Sequence, residues 1–471
     1  MKLIPRNSVF LLWSALLIAM TSCEKESLTE ETSTNEKLES VETLFSNEIK
    51  SNSAYYQLPP LEGNFSKKEL QKIVEEELSN FKKGTISDKN TPPMWVGKNN
   101  SKKVYVHYMP WFQSRSYDGY WGQHWTMANK NPNVTDEDGR RDIASHYYPL
   151  IGPYSSRDPY LQEYHFLLMK LAGIDGVIFD WYGSRNENDY GLIREATETF
   201  MEELNYIDLD FAIMYEDRVA DNSFQNTSKG EVELLQEDMN LLNESYFVKE
   251  NYIRVQDKPA FFVFGPNYLM EESTWSTALE NLSLKSNISF LSLWGSTEKL
   301  PNVIDGEFIW ISPGYLDDME GYYNYSPNLD YTVGSAYPGY DNFYTEGGWN
   351  WGSDYFTIAP SKETFRETLF LNHHEDSEFV QLITWNDFGE GTMIEPTLEF
   401  GFDYLIEIQD YTKVHSNLKD LELAAHLYLA RQLYRDNQEV MSLLDQSYKY
   451  FKKLNVKRVK SILIAIDRLY Q

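Results

Sequence analysis

The chain has 471 residues, of which 42% are hydrophobic and 15% aromatic, including 34 Tyr and 12 Trp. This length suits one large enzyme domain with appendages, or two or three small domains. Its 72 acidic residues outnumber 42 basic ones, and the net charge of −30 argues against nucleic acid as a partner, because the phosphates would be repelled. The aromatic excess is instead typical of sugar-binding clefts, which place flat rings against the apolar faces of pyranoses.

The N-terminus carries the pattern of a secretory leader. Lys2 and Arg6 precede an apolar run, residues 9–20, which ends shortly before Cys23, the only cysteine in the sequence. The run is too short for a comfortable transmembrane helix, so residues 1–22 are predicted to be a signal peptide and the cysteine to be lipidated. The lipid would anchor a bacterial lipoprotein in the outer membrane, facing the periplasm or the cell surface. A plain signal peptide is the alternative.

A hydrophilic segment separates this leader from the folded part of the chain. Residues 23–60 are dominated by Glu, Ser, Thr, Lys and Asn, with few large apolar side chains, and are predicted to form a flexible tether. Lys67–Lys83 then carries apolar residues at helical spacing. This spacing predicts an N-terminal helix that packs on the outside of the domain that follows.

Apolar runs rich in β-branched and aromatic residues then alternate with helical patterns. Eight runs are predicted as strands: Val104–Pro110, Gly176–Tyr182, Asp210–Tyr215, Ala260–Phe264, Phe290–Trp294, Phe308–Ile311, Tyr331–Ser335 and Phe379–Thr384. Eight strands with helical connectors predict an α/β fold, a (β/α)8 TIM barrel over residues 61–410, followed by a C-terminal helical extension over residues 411–471. Catalytic groups of such a barrel cluster at the C-terminal ends of its strands.

Polar and aromatic residues stand at the ends of the first three predicted strands. These residues are His107, Tyr108, Asp180, Tyr182, Tyr215 and Glu216. We expect them to line a sugar-binding cleft at one end of the barrel. A long aromatic loop after the first strand, residues 111–158, is predicted to wall this cleft with Trp111, His124 and Trp125.

The eighth strand ends in a turn-prone segment that carries three carboxylates within nine residues, Asp387, Glu390 and Glu395. Carboxylates held beside Trp385 in a partly desolvated site have pKa values pushed apart by their surroundings, so that one stays protonated while another is ionised. Such a pair can cleave a glycosidic bond. Asn386 and Glu395 are expected to join Trp385 in contacting the sugar.

Five motifs together resemble the glycoside hydrolase family 71/99-like group. They are HYMPWF at residues 107–112, GQHW at 122–125, YPLIGPY at 148–154, GIDGVI at 173–178 and WNDFGEGT at 385–392. Family 71 holds α-1,3-glucanases, and family 99 holds endo-α-1,2-mannosidases and mannanases, all on (β/α)8 barrels. The resemblance covers roughly residues 104–406, and it implies the same barrel and an activity on glycans.

The motif after the eighth strand also implies roles for its acids. Family 99 is similar in having Trp-Asn-Glu-x-x-Glu-Gly-Thr, in which the first Glu takes the proton of the substrate 2-hydroxyl and the second is the acid/base. Here Asp387 stands at the first position and Glu390 at the second, a pattern more similar to family 71, whereas Gly391-Thr392 and the IEP at residues 394–396 are more similar to family 99. The shorter Asp carboxylate would retreat by about 1.5 Å, which widens the gap toward the spacing of inverting hydrolysis.

Three functions follow as hypotheses. The first is a glycoside hydrolase that degrades a polysaccharide or its oligosaccharides, with Glu390 as general acid and Asp387 as base. The second is a lyase or dehydratase that acts by elimination on uronate-containing or sulfated oligosaccharides. The third is a surface glycan-binding lipoprotein whose aromatic residues matter and whose carboxylates do not. No cofactor is predicted, because no His/Asp/Glu cluster has the ligand spacing of a required metal.

Overall fold

A computed structural model describes most of the chain after the predicted tether. The described residues are 57–84, 94–326, 329–349, 356–372 and 377–470. The predicted signal peptide, Cys23 and nearly all of the predicted tether lie outside these ranges. Among the described helices, none combines the length and the apolar character needed to cross a membrane.

Eight parallel strands form a closed barrel. They are β1 Val104–Tyr108, β2 Gly176–Trp181, β3 Asp210–Tyr215, β4 Lys258–Val263, β5 Ser289–Leu293, β6 Gly306–Phe308, β7 Tyr331–Ala336 and β8 Val380–Leu382. Neighbouring strands pair in chain order, β8 pairs with β1, and β3 pairs directly with β4. A two-residue strand, Arg254–Val255, adds an antiparallel pairing to β4. The predicted (β/α)8 barrel is confirmed.

Helices surround the barrel and connect most of its strands. They are α1 Lys67–Lys83 before the barrel, α2 Pro159–Ala172 after β1, α3 Tyr190–Ile207 after β2, α4 Arg218–Asn226 and α5 Glu231–Leu241 after β3, α6 Glu272–Asn281 after β4, α7 Tyr315–Tyr325 after β6, α8 Lys362–Leu371 after β7, and α9 Asp403–Thr412 after β8. A π-helical turn, Leu242–Tyr246, continues α5. Residues 294–305, which join β5 to β6, form turns and contain no helix.

The side chains of β1 show how the strands fill the barrel. His107 points inward, where its ring lies 6.2 Å from Phe262 of β4 and 6.5 Å from Phe308 of β6. Tyr108, the next residue, points outward and packs against Phe200 of α3 at a ring distance of 4.7 Å. Because successive side chains of a strand face opposite sides, only every second residue at a strand end can reach the cleft above the interior.

Three further helices complete the chain, and they confirm the predicted C-terminal helical extension. They are α10 Leu418–Leu433, α11 Gln438–Lys452 and α12 Val456–Leu469. The N-terminal helix α1 packs against α11 and α12, whereas α10 packs against α2 on the outside of the barrel. Ser66 caps the start of α1, and Gly84 ends it in the left-handed conformation that glycine favours. The two ends of the described chain therefore meet in one helical layer.

Candidate active site

A cleft with an empty volume of about 690 Å³ opens at the C-terminal end of the barrel. Every strand except β5 contributes to it, through its last residues or through the loop that follows. The lining residues are Met109, Trp111, His124, Met127, Asp180, Tyr182, Met214, Glu216, Arg218, Phe264, Trp310, Tyr344, Trp349, Asp387, Gly389 and Glu390. Acids and aromatic rings dominate this lining, as expected of a site that binds and cleaves sugars.

The loop after β8 holds two carboxylates at the cleft. Asp387 is 5% exposed and Glu390 6% exposed, so both are nearly removed from solvent. The hydroxyl of Thr384 accepts the backbone N–H of Asp387 at 2.8 Å, and Asp387 Oδ1 accepts the backbone N–H of Glu390 at 2.9 Å. Gly391 follows with φ +67°, and a Cβ there would lie 2.7 Å from the carbonyl oxygen of Asp341. These contacts fix the two acids relative to each other.

The surroundings of these two acids separate their pKa values. Burial raises the pKa of Asp387 to about 7, although hydrogen bonds from the backbone N–H groups of Gly389 and Glu390 oppose the rise. Burial also raises the pKa of Glu390, to about 8, and repulsion by Asp387 adds to it. The hydroxyl of Tyr344 donates to Glu390 Oε1 at 2.8 Å. Glu390 thus keeps its proton to higher pH, which suits an acid beside a base.

Two further acids lie on the β2–β3 side of the cleft. Asp180, at the end of β2, is 2% exposed, and its Oδ1 has no hydrogen-bond partner among the described residues. Burial, followed by repulsion from Glu216, raises the pKa of Asp180 well above its usual range. Burial also raises the pKa of Glu216 to about 7, despite the positive charge of Arg218. Neutral, protonated forms of these acids are therefore accessible near neutral pH.

Aromatic rings form one wall of the cleft. Trp111 stacks on His124 with ring centroids 4.2 Å apart and an interplanar angle of 6°. Trp349 meets the edge of His124 at 6.1 Å. Burial lowers the pKa of His124, although the Asp189 carboxylate 3.5 Å from its Nε2 opposes this change. The wall therefore offers flat, mostly uncharged faces on which a pyranose ring can stack.

Half of the residues that were predicted from the sequence to be catalytic or to bind the sugar do line this cleft. They are Trp111, His124, Asp180, Tyr182, Glu216, Asp387 and Glu390. The other half, which are His107, Tyr108, Trp125, Tyr215, Trp385, Asn386 and Glu395, are buried outside it. The expectation of direct sugar contact by those seven residues is therefore corrected.

His107 lies inside the barrel, one layer below the cleft. Its Nε2 pairs with Gln381 Oε1 at 2.8 Å, and the ring of Trp310 lies between it and the cleft at 4.8 Å. Burial lowers the pKa of His107 to about 4, so the imidazole is neutral at physiological pH. His107 is fully buried, whereas Met109, two residues further along the chain on the same side, lines the cleft.

Tyr108 and Tyr215 point away from the barrel interior. The hydroxyl of Tyr108 pairs with His165 Nδ1 of α2 at 3.0 Å, and the hydroxyl of Tyr215 donates to Asp238 Oδ2 of α5 at 2.8 Å. The preceding residue on β3, Met214, lines the cleft in place of Tyr215. The alternation of side chains along a strand is the physical reason for both corrections, because it turns both tyrosines outward.

Trp125 and Trp385 pack beneath the loops of the cleft. Trp125 donates from Nε1 to the carbonyl oxygen of Tyr154 at 2.8 Å and stacks on Phe112 at 4.1 Å. Trp385 meets the ring of His165 at 5.3 Å, behind the β8 loop. Both indoles are fully buried beneath the loop backbone, so a sugar in the cleft could not reach them.

Asn386 and Glu395 hold the β8 loop to the first strand and its loop. Asn386 accepts the backbone N–H of Met109 at 2.8 Å and donates to the carbonyl oxygen of the same residue at 3.0 Å. Glu395 Oε2 accepts the hydroxyl of Tyr154 at 2.6 Å, and its Oε1 lies 3.4 Å from His165 Nε2. Both side chains are buried in these contacts, although Glu395 Oε1 has no hydrogen-bond partner among the described residues, and they hold the β8 loop in position.

Several cleft residues were not predicted from the sequence. They are Met109, Met127, Met214, Arg218, Phe264, Trp310, Tyr344, Gly389 and Trp349. Met109 and Phe264 could have been found by continuing the inward parity of β1 and β4 past the strand ends. In the part of the chain that the structure describes, no three His, Cys, Asp or Glu side chains are arranged to hold a metal ion.

A closed (β/α)8 barrel with paired buried carboxylates in an aromatic cleft is the arrangement that barrel-fold glycosidases have. The sequence profile of glycosyl hydrolase family 99 matches residues 99–431, well over half of the chain. The chain therefore belongs to glycosyl hydrolase family 99. The resemblance drawn from the sequence motifs is confirmed at the level of this family.

Part of the chain is similar to characterised proteins. It is 24% identical over 259 residues to the glycoprotein endo-alpha-1,2-mannosidase of Mus musculus, covering 51% of this chain and 52% of that protein. It is 21% identical over 297 residues to the enzyme of the same name from Xenopus laevis, covering 57% of this chain and 62% of that protein. The chain thus spans only about half to three fifths of these relatives.

A solved structure shares the fold. The family 99 endo-alpha-mannosidase of Bacteroides thetaiotaomicron superimposes with a TM-score of 0.53 at 18% sequence identity. The superposition covers 69% of this chain and 99% of that one. At this level of identity the likeness is one of barrel architecture.

Proposed function

We propose that the protein hydrolyses an α-glycosidic bond within an oligosaccharide or polysaccharide, with Glu390 as general acid and Asp387 as base. The observation that carries this proposal is the pair of buried carboxylates on one turn of the β8 loop, of which Glu390 has the higher pKa. The α-linkage rests on membership of family 99 and on the endo-alpha-mannosidases to which the chain is similar.

The proposed reaction uses the two acids in complementary protonation states. Protonated Glu390 donates its proton to the glycosidic oxygen as the bond from that oxygen to the anomeric carbon breaks. Ionised Asp387 takes the proton of the hydroxyl or water oxygen that attacks the anomeric carbon. The hydrogen bond from Tyr344 to Glu390 Oε1 orients the acid, and the aromatic wall of Trp111 and His124 supports the sugar ring.

Replacing Glu390 by Gln tests this proposal, because the amide keeps the shape of the side chain and cannot donate the proton. We expect turnover of α-linked oligosaccharides to fall by about 10²–10⁴-fold, the usual contribution of a positioned general acid. Glu399→Gln is the matched control, because Glu399 also lies between β8 and α9 but does not line the cleft. Its carboxylate accepts the backbone N–H of Tyr148. Near-normal turnover by Glu390→Gln would end the proposal.

The mass of the products tests the type of reaction. Hydrolysis adds one water in total across the products. Glycosidic elimination adds none and leaves an unsaturated sugar, and dehydration loses one water. Either of these masses from the wild-type protein would replace the hydrolase with the lyase or dehydratase hypothesis.

We further propose that the protein is a lipoprotein of the outer membrane, acylated at Cys23. The support is the sequence alone, a basic and then apolar leader that ends at the only cysteine. Cys23→Ser should move the protein from the membrane fraction to the soluble fraction, and a variant that still sediments with membranes would contradict the lipid anchor. Protease treatment of intact cells distinguishes the cell surface from the periplasm.

A further inference from the structure

Arg218 places a guanidinium group in the cleft with unused hydrogen-bonding capacity. Its only hydrogen bond to a described residue runs from Nη2 to the hydroxyl of Tyr182, at 2.9 Å. Its Nε has no hydrogen-bond partner among the described residues and lies 3.5 Å from Glu216 Oε2. A guanidinium group carries five N–H donors, so most of those of Arg218 are not engaged.

Other arginines of this chain are paired very differently. Arg431 donates from Nε and Nη2 to the two oxygens of Glu163 at 2.8 and 2.9 Å. Arg366 donates from the same two atoms to Glu407 at 2.9 and 2.6 Å. Bidentate pairing of this kind engages most of the donors of an arginine with one carboxylate. Arg218 lies near Glu216 and Asp180 but forms no bidentate pair with either of them. This indicates that its N–H donors are available to a ligand that enters the cleft.

The position of Arg218 is fixed from behind. The preceding residue, Asp217, accepts the backbone N–H groups of residues 267–269 on its Oδ2, at 2.8, 2.8 and 2.9 Å, and so ties the turn after β3 to the loop after β4. The guanidinium group lies over the ring of Tyr182 at 5.0 Å, and that ring stacks on Tyr190 at 5.2 Å. These contacts hold the guanidinium group in place, and apart from the Nη2 bond to Tyr182 its N–H groups form no hydrogen bond to a described residue, which suits a site for an anion.

We propose that Arg218 binds the carboxylate of a uronic acid residue in the substrate, which makes the substrate an acidic glycan. The proposal rests on the proposed function, since it names the substrate class of the same cleft. In this arrangement the planar carboxylate accepts from the edge of Arg218, and a ring hydroxyl of the same sugar donates to the unpartnered Oδ1 of Asp180.

The acids around the cleft do not prevent an anion from binding. Burial raises the pKa of Asp180, Glu216 and Glu390, so protonated forms of these groups are accessible near neutral pH. A protonated acid donates a hydrogen bond to an anion. A carboxylate suits this site better than a sulfate ester, because its two coplanar oxygens match the planar guanidinium fork and a sulfate ester adds a third oxygen outside that plane.

Binding of matched sugar pairs tests the proposal. The probes are the methyl glycosides of glucuronic, galacturonic and mannuronic acid, each compared with its neutral hexose counterpart, with glucose 6-sulfate as a separate arm. Saturation-transfer NMR titrations give the dissociation constants. We expect at least one acid to bind about tenfold or more tightly than its neutral counterpart, as charge-assisted hydrogen bonds to arginine provide.

The preference should depend on Arg218 and on the shape of its side chain. Arg218→Gln should reduce the binding of the acid to the level of the neutral sugar, whereas Arg218→Lys, which keeps the charge and loses the fork, should retain a smaller preference. Arg194→Gln is the matched control, because the side chains of Arg194 and Arg218 are both 22% exposed and Arg194 does not line the cleft. Thermal unfolding verifies that each variant is folded.

Three results would overturn the proposal. They are equal or undetectable binding of the acids and the neutral sugars, an acid preference that survives in Arg218→Gln, and tighter binding of the sulfated sugar than of every uronic acid. The readout needs no turnover and is repeated in Glu390→Gln. Loss of activity in Glu390→Gln without any acid preference would therefore refute the uronate site alone, and full activity with a clear acid preference would refute the hydrolase alone.

Discussion

Asp387 and Glu390 are three residues apart, and burial raises the pKa of both, with repulsion by Asp387 adding to the rise at Glu390. The pKa of Asp387 is raised to about 7 and that of Glu390 to about 8, so the productive pair, with the base ionised and the acid protonated, is most populated between these values. We expect a bell-shaped dependence of kcat/KM on pH. Because the two acids interact, the apparent pKa values of its two limbs describe the pair and not the individual residues. A rate that keeps rising above pH 9 would contradict this assignment of acid and base.

The same pKa shift links the active site to stability. The folded-state pKa of Glu390 lies above its usual value of 4.5. The stability that its proton contributes is therefore fully present below about pH 4.5 and is lost as pH rises toward 8. Glu390→Gln has no proton to lose, so it should be about 1–3 kcal/mol more stable than wild type at pH 8.5 and no more stable at pH 4. Urea unfolding at the two pH values measures the difference, and an equal gain at both would refute it.

Tyr344 should act on the reaction through Glu390. Its hydroxyl donates to Glu390 Oε1 at 2.8 Å, and this hydrogen bond lowers the pKa of the carboxyl. In Tyr344→Phe we expect kcat to fall about tenfold, since a charge-assisted hydrogen bond contributes about 1.5–3 kcal/mol, with a smaller change in KM. The alkaline limb of the pH profile should also move to higher pH. A lower kcat with an unmoved limb would indicate a merely structural role.

Residue chemistry alone could identify the two acids that we propose as catalytic, but not the direction of every neighbouring side chain. Asp387 and Glu390 were predictable because two acids that follow a buried strand inside a Trp-Asn-Asp-x-x-Glu motif are typical of a sugar-cleaving site. Tyr108 and Tyr215 were misplaced because polarity at a strand end says nothing about which side the residue faces. Arg218 had no signal in the sequence, since a single arginine at a helix start is ordinarily a surface residue.

At the scale of elements, the β8 loop depends on a conformation that only glycine adopts easily. Gly391 has φ +67°, and a Cβ atom at this residue would clash with the carbonyl oxygen of Asp341. Gly84, at the end of α1, has a similar φ of +60°, but a Cβ atom there would have no other atom within 4 Å. Gly84→Ala should cost about 1 kcal/mol from its backbone conformation alone. Gly391→Ala should cost more and should also lower kcat, because the clash displaces the acids. Equal costs with unchanged kcat would show that the loop tolerates the shift.

Element prediction succeeded where the hydrophobic period was strong. The helix over Lys67–Lys83 was predicted with the observed bounds. Strand β1 was predicted two residues too long, because Pro110 has no N–H with which to continue the ladder. Helix α4 was missed, since its buried residues are small or few, Val219, Ala220 and Ser223, and give no apolar stripe.

At the scale of the whole molecule, the C-terminal helices behave as part of the barrel's outer layer. The family 99 profile continues to residue 431, near the end of α10, and α10 packs on α2. The sequence predicted these helices from their periodicity. It could not predict where they pack, because that depends on ion pairs between residues far apart in the chain.

The ion pair of Arg431 with Glu163 is the clearest of these connections. Arg431 is 1% exposed, and burial raises the pKa of Glu163 to about 7 even with its partner present. Arg431→Met leaves that carboxyl buried and unpaired, so it should lower the free energy of unfolding by about 3–5 kcal/mol. Adding Glu163→Leu removes the buried, unpaired carboxyl group and should recover part of the lost free energy of unfolding. We expect a single calorimetric transition that shifts as a whole, since α10 and α2 share this contact. A variant in which the barrel melts at the wild-type temperature while a separate, earlier transition appears would show that the helical extension unfolds independently.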